Sequence, residues 1–160
     1  MVILGHIKTV NSSKEEAQMT QELKQLTQEE HDNWVREQFQ NANAHLAEHG
    51  LISDRVLTQE SRYLAPLVAL WKFTLQGMDE TVWAISGDLP LDHIDCESAK
   101  TPQDALRYFS YRWQMKADKL LEGGAAAKNN EDYEHAQELI KGAENLFPLT
   151  EMEELWKEEV

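Results

Sequence analysis

Residues 67–86, LVALWKFTLQGMDETVWAIS, restrict the fold more than any other stretch of the chain. Two runs rich in β-branched and aromatic residues flank four residues that contain a glycine, which is the pattern of a β-hairpin. Strands are expected near 68–76 and 81–86, with Trp71, Phe73 and Leu75 alternating onto one face. A continuous helix through 67–76 is the competing reading, since Ala, Leu and Lys are good helix formers. A lone hairpin is marginal in water, so helices must cover one of its faces.

Helix signals surround this hairpin. Thr27 and Glu30 form a capping box, in which the Thr27 hydroxyl accepts the Glu30 amide and the Glu30 side chain reaches back. The helix behind it carries Val35, Phe39, Ala42 and Leu46 at steps of four, three and four, and Gly50 supplies its stop. Ser53 or Thr58 can cap a short helix before Pro66. Thr101-Pro102 opens another helix with the seam Leu106, Phe109, Trp113, Ala117 and Leu120, ended by Gly123-Gly124. Asn130 can cap a further helix with the seam Tyr133, Ala136, Ile140, Ala143 and Phe147, broken by Pro148. A second capping box, Thr150 to Glu153, starts a short terminal helix that buries Met152, Leu155 and Trp156. The sum is a mostly helical α+β domain, with about five helices around a small β-hairpin.

The 160 residues suit one domain with one core. Residues 1–18 lack aromatic residues and a sustained period, and read as a poorly ordered N-terminal extension. Met19 is then the expected native start, and 19–160 the globular domain. The opening MVILGHIKTV lacks both the basic start and the cleavage site of a secretory signal. No apolar run reaches the roughly 20 residues of a membrane span. The single cysteine, Cys96, rules out an internal disulfide and fits a cytoplasmic, reducing compartment. With 29 acidic and 15 basic residues the formal charge is −14. Such a surface repels nucleic acid and anionic lipid, and it can attract a basic protein partner. Residues 130–160 hold ten of the acids against two lysines.

Four groups of residues invite a chemical reading. In SGDLPLDHID, Asp88, Asp92 and Asp95 supply oxygens and His93 a nitrogen, a set able to hold Mg²⁺ or Mn²⁺ or to act in acid–base work. The same stretch reads more simply as a turn, with Gly87 turning the chain, Asp88 bonding nearby amides and Pro90 stiffening the loop. His45-Leu-Ala-Glu48-His49 has the H-x-x-E-H spacing of inverted zincins, with two histidines one helical turn apart. At the end of a helix the dipole already explains such histidines, and both are expected at the rim of the buried stripe. Cys96 has His93 three residues away, but the surrounding acids disfavour a thiolate. Ser86 lacks the first glycine of a nucleophile elbow. No glycine pattern supports phosphate or dinucleotide binding, and no cofactor is implied. Arg62, Arg107 and Arg112, with Trp83, are candidates for a small anionic ligand. The arginines can equally pair with Asp88, Asp92 or Asp95 inside the fold.

The phrases SRYLAPLVALWKF and WAISGDLPLDHI, followed by a helix ending in WQMKA, resemble a family of small acidic proteins from marine and enteric gammaproteobacteria, known as a domain of unknown function. The likeness runs from about Met19 to Trp156. Its most specific part is W-x-x-SGDLP, here Trp83, Ser86, Gly87, Asp88, Leu89 and Pro90. The resemblance implies a cytosolic bacterial protein of this size and no assigned activity. Three functions are compatible with these residues. One is a non-catalytic interaction module with an immunity-like, antitoxin-like or adaptor role. Another is a metal-dependent hydrolase built on Asp88, Asp92, His93 and Asp95. The third is a binder of a small anion. The oligomeric state is not written in these patterns.

Overall fold

The computed structural model describes residues 26–122 and 130–157; the expected extension at 1–18 and the glycine stop at 123–124 lie outside them. Helix α1 (Gln28–Glu48) is followed by strands β1 (Ser53–Val56), β2 (Arg62–Leu64), β3 (Val68–Leu75), β4 (Thr81–Gly87) and β5 (Asp92–Asp95). Helices α2 (Pro102–Leu120) and α3 (Asn130–Glu151) and a 3₁₀ turn, Glu153–Trp156, complete the order.

The hairpin is present as β3 and β4, in antiparallel register from Val68 opposite Gly87 to Thr74 opposite Thr81. It is the centre of a five-stranded antiparallel sheet, which replaces the expected arrangement of five helices around a lone hairpin. One edge of β3 is shared by β2 at its start and β1 at its end, and β5 adds to the free edge of β4. Residues 51–66, read as a short helix, thus form two strands, and the stretch read as a turn, 92–95, is a third.

Both faces of the sheet are covered, which explains why β3 and β4 are apolar almost continuously. On one face Ala69, Trp71, Phe73, Leu75, Val82 and Ala84 pack against Ala42 and Leu46 of α1. On the other, Val68, Leu70, Trp83, Ile85 and Ile94 meet a helical hairpin of α2 and α3. The Thr27 cap of α1 forms as expected, with the Glu30 amide donating to Thr27 Oγ1 at 3.1 Å, and the Glu30 carboxylate reaches back to accept from the Thr27 hydroxyl at 3.1 Å. The α2 seam of Leu106, Phe109, Trp113 and Ala117 is fully buried.

Helix α3 departs from its expected seam. Ala136 and Ala143 are buried, but their partners are Leu139, Leu146 and Leu149, while Tyr133 and Phe147 are exposed. Pro148 sits inside the helix, which continues to Glu151. Thr150 is therefore helical rather than a cap, and its hydroxyl donates back to the Phe147 carbonyl at 2.7 Å. The terminal helix is only the 3₁₀ turn, with Met152, Leu155 and Trp156 partly buried against the core.

Candidate functional site

The SGDLP stretch turns out to hold the layers together. Ser86 is fully buried; its Oγ accepts from Trp71 Nε1 at 3.0 Å and donates to the Gln38 carbonyl of α1 at 3.0 Å. Gly87 has φ 140°, and a Cβ there would run into the backbone carbonyl of Leu67. Pro90 lies against α3 at Gly142, so close that a Cβ on Gly142 would sit 2.8 Å from Pro90 Cδ and 3.0 Å from the Trp113 ring. These contacts join α1, the sheet and α3.

The acids of SGDLPLDHID do not share a point. Asp88 is exposed beyond the end of β4. Asp95 accepts from the backbone and hydroxyl of Ser98 at 3.1 and 3.3 Å. Asp92 is buried on the α2 side of the sheet. There it accepts from Trp113 Nε1 at 2.9 Å and Arg112 Nε at 3.2 Å, with Lys116 Nζ at 3.7 Å. Its oxygens are committed to packing the sheet on α2, as a buried carboxylate requires. Of the other arginines, Arg107 pairs with Asp104 and donates to the Thr150 carbonyl, and the buried Arg62 Nε has no partner among the described residues. Trp83 is fully buried, and its indole donates to the Ala99 carbonyl at 2.8 Å. Burial, first of all, pushes the Cys96 thiol up, which keeps it protonated and unreactive.

The structure unites two stretches that the sequence keeps apart. His45 and His49 stand one turn apart near the end of α1. His93 is opposite Ala84 in the sheet register and leaves β5 on the α1 side, the face opposite to Asp92 and Ile94. His45, expected at the rim, is buried. Its Nε2 lies 2.9 Å from His93 Nδ1. The His49 Nδ1–H donates to the His45 carbonyl at 2.9 Å, which leaves Nε2 as the nitrogen that can ligate a metal. One nitrogen from each of the three rings can be chosen so that all lie within 4.8 Å of one another. Across a tetrahedral zinc the ligand nitrogens stand about 3.3 Å apart, so small side-chain rotations would enclose an ion.

Electrostatics favours the neutral form of His45 and His93. Burial, then the charge of His49, lowers the pKa of both His45 and His93 below the ordinary 6.5. Arg112 and Lys116 push His93 the same way, against the opposing pull of Asp92. A neutral imidazole is the form that binds a metal. His93 also borders a groove of about 310 Å³, with Leu51, Leu75, Met78 and Val82 in its lining. A separate groove of about 410 Å³ lies earlier along α1, over Phe39, Tyr63 and Trp71.

Residues 27–156 match the family model described as domain of unknown function DUF4826. The chain belongs to that family. No curated protein matches it, and no solved structure does. Among the described residues no helix is long and apolar enough to cross a membrane.

Proposed function

We propose that this protein binds a single transition-metal ion of the Zn²⁺ class through His45, His49 and His93. The observation that carries the reading is the convergence of three imidazoles from two separate elements, with donor nitrogens within 4.8 Å of one another. An all-nitrogen set suits Zn²⁺, Cu²⁺ or Ni²⁺; Mg²⁺, Mn²⁺ and Ca²⁺ prefer oxygen donors. The bond from His49 to the His45 carbonyl orients one ligand in advance, as outer partners do in metal sites. A bacterial cytosol is the setting that fits the resemblance and the lone cysteine.

Isothermal titration of the metal-free protein with Zn²⁺ tests this. One ion per chain should bind, and the melting temperature should rise with free metal. His49→Ala, at an exposed position, should keep the fold and weaken binding at least tenfold. Failure to take up a stoichiometric ion would remove the reading.

A second reading rests on the outer face of α3. Glu131, Glu134, Glu138 and Glu144 are exposed on the same helix as Tyr133 and Phe147, which are 45% and 57% exposed. Aromatic rings among acids suit a basic protein partner, so a non-catalytic interaction role is compatible with the metal site.

A further inference from the structure

We infer that the fourth coordination position of this ion is open, and that it takes the carboxylate of a small monoanion whose short apolar body lies in the groove beside His93. The inference rests on the metal reading above and adds a ligand to it.

Three observations support an open position. No carboxylate or thiolate of the described residues joins the three imidazoles as a further donor. Structural zinc sites are closed by four protein ligands, whereas sites with three keep a place for water or a ligand. The cluster is also not sealed, because His49 is exposed and His93 only half-buried.

The groove says what can come to that position. His93 belongs both to the metal cluster and to the groove wall, so the two are contiguous through one ring. Leu51, Leu75, Met78 and Val82 give the groove one apolar wall, and Glu80, Asp95, Ser98 and Arg112 make the rest of it polar. Leu51 is three residues beyond the end of α1 and two beyond His49, which caps that helix, so the lining starts close to the metal cluster.

Charge selects the head group. Three neutral imidazoles leave the double positive charge of the ion uncancelled, which attracts an anion. The neighbouring Asp92 adds no ligand oxygen, being bonded to Trp113 and Arg112 on the opposite face. Glu80, Asp95 and Arg112 stand together at the groove, so its wall carries charges of both signs and the ion itself is what draws the anion. One carboxylate on the ion, with an uncharged remainder along the apolar wall, therefore fits.

The test uses the full chain loaded with Co²⁺, whose visible bands report coordination, titrated with acetate and with hexanoate. Both acids should alter the bands, and hexanoate should do so at a concentration at least tenfold lower, because its extra methylenes are buried in the groove. Met78→Glu, at an exposed turn position, should abolish the preference for hexanoate and leave the acetate response. Cobalt bands that neither acid moves would show a closed site and overturn the inference while leaving the metal reading intact. Equal affinity for the two acids would overturn the groove as the binding surface. Absence of any cobalt band would overturn the metal reading itself.

Discussion

Asp92 and His93 are consecutive residues with opposite duties. The carboxylate turns toward α2 and satisfies a buried indole and an arginine. The imidazole turns toward α1 and meets two more imidazoles. Alternation along β5 is the whole cause, and it also fixes a pH dependence. His45 and His93 have folded-state pKa values below the ordinary 6.5, mainly because burial penalises their charged form. As pH falls through about 6.5, the unfolded chain takes up protons that the folded chain refuses, so stability falls. Well above that pH both states hold neutral rings, and these groups contribute no slope. The urea midpoint of the metal-free protein should therefore stay level from about pH 8 to 7 and drop toward pH 5.5, with His93→Gln reducing the drop. A midpoint that rises on acidification would contradict this assignment.

At the scale of elements, α3 is the piece whose packing is tightest against a loop. Gly142 lets the helix approach Pro90 and the Trp113 ring. Gly142→Ala gains about 1 kcal/mol of helix propensity. Overpacking in a dense core costs roughly 1–3 kcal/mol, and here it should prevail, lowering stability by about 1 kcal/mol. Denaturant melts of the two proteins decide it; a more stable variant would mean that Pro90 yields easily. Long elements with caps were legible in the sequence: the Thr27 box, Thr101-Pro102 and the β3–β4 hairpin all lie where their residues put them. Strands of three or four residues were not, because Ser53–Val56, Arg62–Leu64 and Asp92–Asp95 are too short to display a period. The α3 seam was misplaced because Tyr133 and Phe147 carry more apolar surface than Leu139 and Leu146, yet stand at the exposed positions. The histidine cluster was only half visible. The i, i+4 pair could be read from spacing, but its third member depends on β5 being a strand, and a loop residue has no predictable face. The alternation of Asp-His-Ile-Asp next to an apolar central strand was the available sign.

For the whole molecule, a charge of −14 spread over a folded surface acts at the range of the Debye length, roughly 8–10 Å in ordinary buffers. If α3 receives a basic protein, retention of that partner from host lysate should be stoichiometric at low salt and weaker at moderate salt. The pair Glu134→Lys and Glu138→Lys should abolish it. Absence of a stoichiometric partner at either salt would discard that surface. The two cores, meanwhile, are divided by the sheet, so the single helix on one side packs on a separate core from the helical pair. An ion clasped by His45, His49 and His93 would act as a rivet through that outer panel, closing a chain loop of 48 residues between α1 and the edge strand. Its removal would loosen one cover of the sandwich and leave the other shut.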